Sequence, residues 1–365
     1  MLKSSTLLRY LLCLIGILLS IPILALVTLA FITPVTVSGI LYLFGSILLA
    51  SGLILTPWQL KTRNALVLGG LIVILSVIGL RLYLTLNETS NLKVIVLPST
   101  RGARPLNALI DEQDTLLFGE GLLRLIGGVS PHEHEGLALA VTAAYQEARV
   151  ANGVFSSPVL STYIGFQKPD AFDVVVIEPS AERPSPVGII FLHGFTGNVS
   201  IQCWQIARAV DRIDAVTVCP STNWIGEWWL PDGEAIIRET FGYLREKSIQ
   251  RIYLGGFSNG GGGVGRLISI LADEPELSGL FFIAGVRNAQ AVRETGLPVL
   301  VIQGANDERI PVEAARQFVA DVGGQTTHVE LDADHFLIMK QSCLVQDAVG
   351  AWLKEQERGD EPVLR

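Results

Sequence analysis

Gly256-Phe257-Ser258-Asn259-Gly260 decides the reading of this chain. The apolar run Arg251-Ile252-Tyr253-Leu254 precedes it, and residues 264–272, a run with helical character, follow. The pattern is strand, tight turn, helix, with a serine at the apex. A serine hydroxyl is a weak nucleophile until a base can reach it, so it must stand clear of the backbone. Glycines two before and two after it let strand and helix pack closely around a strained turn. The chain has 36 glycines, so a Gly-x-Ser-x-Gly match alone carries little weight. Its surroundings carry the argument.

Three further stretches stand in the order that nucleophilic catalysis needs. Val187-Gly188-Ile189-Ile190-Phe191-Leu192 reads as a strand ending in His193-Gly194-Phe195-Thr196-Gly197-Asn198, a loop rich in small residues that can offer backbone N–H groups. Downstream, Leu297-Pro298-Val299-Leu300-Val301-Ile302 reads as a buried strand running into Gly304-Ala305-Asn306-Asp307. His328-Val329-Glu330-Leu331 reads as another, followed by Ala333-Asp334-His335-Phe336. Ser258, Asp307 and His335 each follow a strand, in the chain order of a hydrolase triad. Asp332 and Asp334 lie nearer His335 in sequence. Asp307 is preferred because it ends a strand in the matching loop.

On these motifs, residues 154–357 resemble an α/β-hydrolase domain of the serine esterase and lipase type, with a doubly wound, mostly parallel sheet. The resemblance implies Ser258 as nucleophile, His335 as general base and acid, and Asp307 as the group that orients the imidazole. It implies an oxyanion hole from the backbone N–H groups of Phe195 and Asn259, and no cofactor. The implied reaction is cleavage of a carboxylic ester through an acyl-enzyme on Ser258, with an acyl-ester small molecule or lipid as substrate. An acyltransferase, a serine peptidase or a thioesterase uses the same parts, and a catalytically silent membrane scaffold on a hydrolase fold is the non-enzymatic reading. The link between residues 283 and 297 is too short for the helical lid that many lipases insert there.

The composition divides the chain. Hydrophobic residues make up 49% and charged residues 17%, and the excess is concentrated in the first 86 residues. Every Asp and Glu falls at or after Glu88, while Lys3, Arg9, Lys61, Arg63 and Arg81 are the only cations before it. The remainder is strongly acidic, which excludes a nucleic-acid partner that reads phosphates with a basic face. Residues 11–32, 35–55 and 65–84 are almost wholly apolar, with Pro34 and Thr56-Pro57 between them. Each is near the roughly 20 residues that cross a bilayer, so residues 1–86 read as a transmembrane region of about three helices. A cleaved signal peptide is the alternative for the first, but its apolar run exceeds the usual length of roughly 7–15 residues. The positive-inside rule puts Lys3, Arg9, Lys61 and Arg63 in the cytoplasm, and three spans then put the hydrolase domain on the extracytoplasmic side. Arg81, near the end of the third span, is expected to snorkel to the interface.

Residues 87–153 read as a connecting helical region able to act as a cap, and residues 358–365 as a tail. Residues 93–97 have strand character, and residues 131–148 read as a helix opened by Pro131. His132 and His134 suggest a metal pair, but residues two apart diverge on a helix, so a polar first turn is the reading and no metal site is expected. Residues 154–163 and 172–177 read as the antiparallel opening strands of the sheet. Trp224, Trp228 and Trp229, half of the six tryptophans, follow the strand at residues 215–219. They are expected at the ligand edge, lining the substrate pocket, with a satellite core under the loop or contact with the membrane surface as the alternatives. Cys203 and Cys219 lack metal-site spacing. They read as small buried residues, with a disulfide open to them outside the cytoplasm. Asn87-Glu88-Thr89 and Asn198-Val199-Ser200 match the glycosylation pattern.

Overall fold

The computed structural model describes residues 4–58, 60–86, 90–179, 185–197, 199–324 and 326–359. Asn87 and Asn198 of the two glycosylation triplets, and most of the carboxyl-terminal tail, lie outside the described residues. The chain forms two compact units, one of residues 1–87 and 108–134, the other of residues 88–107 and 135–365.

The first unit contains α1 (Ser4–Ala30), α2 (Val37–Ile54), α3 (Thr62–Leu86), α4 (Glu112–Leu125) and the single turn α5 (Pro131–His134). Among the described residues three helices, over Thr6–Ala30, Val37–Ile54 and Thr62–Thr85, are long and apolar enough to cross a membrane. Helices α2 and α3 meet through small residues. A Cβ on Gly70 would stand 2.6 Å from the Gly45 carbonyl oxygen, the close backbone approach that small residues permit between apolar helices. Polar contacts gather where α1 gives way to α2. Asp114 accepts hydrogen bonds from the Thr36 backbone N–H (2.8 Å) and hydroxyl (2.6 Å), while the Thr36 hydroxyl caps α2 by accepting from the Gly39 N–H.

Arg81 does not behave as a snorkelling surface residue. It is buried and donates to the carbonyls of Ala108 (2.8 Å) and Ile110 (2.9 Å) and to Asp111 (3.2 Å). The loop that begins at residue 108 ends the search for a counter-charge: a guanidinium with several bonds and a carboxylate is sustained in an apolar setting where a bare one is not. His134 is held by Glu120 at 2.5 Å, and His132 is exposed.

The second unit is a nine-stranded sheet with helices on both faces. Its strands are β1 (Leu92–Leu97), β2 (Arg101–Gly102), β3 (Phe172–Ile177), β4 (Val187–Leu192), β5 (Val216–Pro220), β6 (Arg251–Phe257), β7 (Leu277–Ile283), β8 (Val299–Gly304) and β9 (Thr326–Leu331). They are arranged in the order β2-β1-β3-β5-β4-β6-β7-β8-β9. The pairs β1/β2, β1/β3 and β3/β5 are antiparallel, and every pair from β5/β4 to β8/β9 is parallel. Strands β3, β4 and β5 are buried at every residue, as strands covered by helices on both faces of a sheet are. This is the α/β-hydrolase fold.

The helices of this unit are α6 (Leu137–Asn152), α7 (Val159–Tyr163), α8 (Val199–Val210), α9 (Pro231–Glu246), α10 (Asn259–Leu271), α11 (Ala289–Thr295), α12 (Val312–Val322), α13 (Leu337–Lys340) and α14 (Ser342–Gly359). Helices α9 to α12 bury Ile236, Phe241, Val264, Ile268, Val292 and Phe318 in one continuous core with the sheet. Helices α8 and α14 pack together on the other side. A disulfide joins Cys203 on α8 to Cys219 on β5, with Cα atoms 5.9 Å apart.

Two elements differ from the sequence expectation. Residues 154–163 do not form a strand. Pro158, which has no N–H to give a ladder, stands at the start of α7, and the Ser157 hydroxyl accepts from the Val159 N–H. The strand that opens the sheet is β1 instead, paired with β3 along its whole length. Strands β1 and β2, within residues 92–102, therefore belong to the sheet. The expected helix over residues 131–148 is broken into α5 and α6 at Gly136, whose φ of +73° no helix continues.

Candidate active site

The centre of the site is the turn between β6 and α10. Ser258 has φ +54° and ψ −118°, a conformation that costs a non-glycine residue on the order of 1–3 kcal/mol. Its N–H donates to the Ile283 carbonyl (2.9 Å) and its carbonyl accepts from the Gly262 N–H (3.0 Å). The turn closes only because its flanks lack side chains. A Cβ on Gly260 would lie 1.9 Å from the Leu192 carbonyl oxygen, and one on Gly256 would lie 2.3 Å from the Gly260 carbonyl carbon. The two glycines that made the motif recognisable are thus the points where β4, β6 and α10 touch through backbone.

The parallel strands bring the other side chains to the same edge. His335 follows β9 and Asp307 follows β8. The His335 Nε2 lies 2.9 Å from the Ser258 Oγ, and its Nδ1 lies 2.8 Å from the Asp307 Oδ2. Asp307 is buried. Its Oδ1 accepts from the N–H groups of Arg309 and Ile310, both at 2.9 Å. Burial alone would raise its pKa. The hydrogen bond and charge of His335, with the two backbone donors, outweigh burial and hold the carboxyl below the usual carboxylate range. Asp334 is taken by Lys340 at 2.6 Å, and Asp332 accepts from the Asn306 amide. Of the three aspartates weighed in the sequence, Asp307 is the one bonded to the imidazole.

Gln303 was not foreseen. It is fully buried, and its amide donates to the Asp307 Oδ2 (2.8 Å) and to the Ile310 carbonyl (2.9 Å). The Asp307 oxygen that meets the imidazole is therefore also held from behind. A lone amide at the end of the apolar strand β8 was the available signal.

The loop after β4 is braced from within. The buried His193 has its Nδ1 2.8 Å from the Gly194 carbonyl, and its Nε2 accepts from the Thr222 N–H at 3.2 Å. These two bonds together define a neutral ring protonated on Nδ1. Burial pushes its pKa down to about 4, against the upward pull of the Gly194 carbonyl. Phe195 is exposed, and its ring lies 5.2 Å from that of Trp224, which is also exposed. The Thr196 N–H donates to the Trp224 carbonyl, and the Asn259 side chain donates to the Ile225 carbonyl. The tryptophan loop is thus tied to the loop after β4 and to the serine turn.

The three tryptophans part ways. Trp228 is fully buried, and its indole N–H donates to the His193 carbonyl at 2.9 Å. It packs against Gly263, so it is part of the core and not of a pocket wall. Helix α9 begins three residues later and draws it inward. Trp229 is half-buried beneath the Arg287 guanidinium. Trp224 alone shows an open face beside Phe195.

Comparison with solved structures finds resemblances that each cover about half of this chain. The chain is similar to the esterase domain of a Rhodothermus marinus protein (17% identity, TM-score 0.43, 51% of this chain and 93% of that one). It is similar to Est1E from Butyrivibrio proteoclasticus (18% identity, TM-score 0.45, 52% and 95%). It is also similar to an α/β serine hydrolase without a lid from Xanthomonas campestris (22% identity, TM-score 0.42, 54% and 92%). No protein-family model and no curated protein matches the chain.

Two measurements check the packing of the site. Gly260→Ala is expected to cost about 3 kcal/mol or more, because backbone and not a flexible side chain meets the new methyl. Gly262→Ala, in the same glycine run but with nothing within 4 Å of its Cβ, is expected to be neutral or to gain up to about 1 kcal/mol from helix propensity. Equal melting temperatures for the two variants would contradict the packing. The second measurement concerns pH. An unfolded His193 titrates near ~6.5, well above its native value. Its contribution is complete above that pH and is lost as pH falls toward 4, by about 3 kcal/mol in all. Wild type should therefore lose more stability between pH 7 and pH 4.5 than His193→Gln does, and parallel losses would refute a neutral buried ring.

Proposed function

We propose that this chain is a membrane-anchored serine hydrolase that cleaves a carboxylic ester through an acyl-enzyme on Ser258. The observation that carries the reading is the unbroken line of hydrogen-bonding distances from Ser258 through His335 to Asp307. His335 Nε2 takes the hydroxyl proton as Ser258 Oγ attacks the ester carbonyl, and then delivers it to the leaving alkoxide. Asp307 keeps Nδ1 protonated and stabilises the imidazolium, a role suited to a carboxyl held in its ionised form. Water, activated by the same imidazole, then releases the acyl group from Ser258.

The negative charge that develops on the carbonyl oxygen needs donors in place beforehand. Asn259 opens α10, and first-turn N–H groups have no acceptor within their own helix. They also lie at the positive end of its dipole. The Phe195 N–H has no protein acceptor among the described residues. Each such donor contributes about 3 kcal/mol in comparable sites. Phe195 and Trp224, two exposed rings in contact, suit an apolar acyl or alcohol group. Trp229 retains a place at the rim under this reading, whereas Trp228 has none.

Helices α1 to α3 serve as the anchor. Arg9, Lys61 and Arg63 lie at the end where α1 begins and α3 starts, and cations of this kind favour the cytoplasmic side. The third span then carries the hydrolase unit out of the cytoplasm. The Cys203–Cys219 disulfide supports the same side, since structural disulfides persist in oxidising compartments.

The test is hydrolysis of p-nitrophenyl esters of graded acyl length by the full chain in a neutral detergent. Ser258→Ala is expected to lower kcat on the order of 10⁴-fold or more, and Asp307→Asn roughly 10³–10⁴-fold. Asp334→Asn should leave kcat within a few-fold, because its partner is Lys340. Full activity in Asp307→Asn together with a dead Asp334→Asn would overturn the assignment.

A further inference from the structure

The first unit contains a cleft of about 680 Å³ lined by Leu8, Leu12, Leu53, Val67, Leu68 and Leu71, with Arg9 and Arg63 also in its wall. That volume is within the range of roughly 300–1,000 Å³ typical of small-molecule sites. The cleft lies at the end of the spans where α1 begins, α2 finishes and α3 starts. Arg9 has no hydrogen-bond or ion-pair partner among the described residues. Among the described residues Arg63 donates only to the Asn64 amide oxygen (3.0 Å) and the Thr56 carbonyl (3.4 Å). Among the described residues neither meets a carboxylate, and no Asp or Glu precedes Glu88 in the sequence. Two acids in contact with the spans, Asp111 and Asp114, bind Arg81 and Thr36, where α3 ends and α2 begins.

A guanidinium beside an apolar wall needs an anion or water to satisfy its fixed fork of donors. Two of them on one greasy cleft, with no internal acid, call for a ligand that is anionic at one end and hydrocarbon along the rest. We propose that this cleft binds an anionic phospholipid, its phosphate between Arg9 and Arg63 and an acyl chain against Leu12, Leu53, Val67 and Leu71. A free phosphate would leave the apolar wall unused. A second copy of these spans would bring no carboxylate to the arginines. Basic pockets between membrane helices take anionic headgroups by this chemistry. The site rests on the reading of α1 to α3 as membrane spans.

The full chain is purified in neutral detergent from vesicles of phosphatidylcholine and phosphatidylglycerol in equal amounts, and retained lipid is counted by native mass spectrometry. Wild type is expected to retain one phosphatidylglycerol in preference to phosphatidylcholine, and Lys61→Gln, an exposed cation outside the cleft, to do the same. The Arg9→Gln/Arg63→Gln pair should lose the preference by roughly tenfold or more. Leu68→Trp, which fills the cleft without changing charge, should lower retention of either lipid. Excess inorganic phosphate should not displace the lipid. Equal retention of both lipids by wild type, undiminished retention in both the double variant and Leu68→Trp, or displacement by inorganic phosphate would overturn the site. Carbonate extraction separates the two readings. A chain that stays in the membrane but shows no lipid preference overturns the lipid site alone, whereas a chain released by carbonate overturns the spans and the site together.

Discussion

The hydrolase-fold unit depends on one backbone constraint: a serine held at positive φ because the segments around it approach too closely for any other course. Gly260 against the Leu192 carbonyl and Gly256 against α10 fix the turn from two sides. Relaxing Ser258 would mean separating β4 from α10, and with them the core built from Val264, Ile268 and the sheet. The local strain is small beside the burial that opposes its release. A nucleophile needs that arrangement, since the hydroxyl stays in one position without a reorganisation step.

The same economy of motion governs the residues that meet Ser258. Asp307 is fixed by two backbone N–H groups and by the buried Gln303 amide before it reaches His335. His193, neutral and buried, locks the loop after β4 from below, and Trp228 locks His193. Polar groups in a low-dielectric setting are costly unless fully partnered and directional when they are. These partners therefore hold the site's shape as firmly as the hydrophobic core holds the sheet.

Much of this was legible in the sequence because it rests on local pattern. The order of Ser258, Asp307 and His335, each after an apolar run, needs only strand periodicity and the rule that parallel strands end on one edge. The three apolar helices needed only length and the lack of acids. What could not be read depends on contacts distant in sequence. Residues 154–163 have strand-like composition, but Pro158 begins a helix, and Lys93 to Leu97 take the place beside β3. Trp228 and Trp224 sit four residues apart in the same loop, yet one is core and the other surface, a difference set by how α9 starts. Arg81 looked like an interface cation because its partners, Ala108, Ile110 and Asp111, lie nearly 30 residues on. Gln303 was visible as an anomaly in an apolar strand, but its role appears only once Asp307 and Ile310 are beside it.

The central claim is that Ser258 is a nucleophile activated by His335. It is tested most directly by treating the folded full chain with a fluorophosphonate and locating the adduct by peptide mass spectrometry. The account predicts a single phosphonylated residue, Ser258, with labelling lost in Ser258→Ala and strongly slowed in His335→Ala. A folded chain left unlabelled at Ser258, or labelled there equally well without His335, would contradict it.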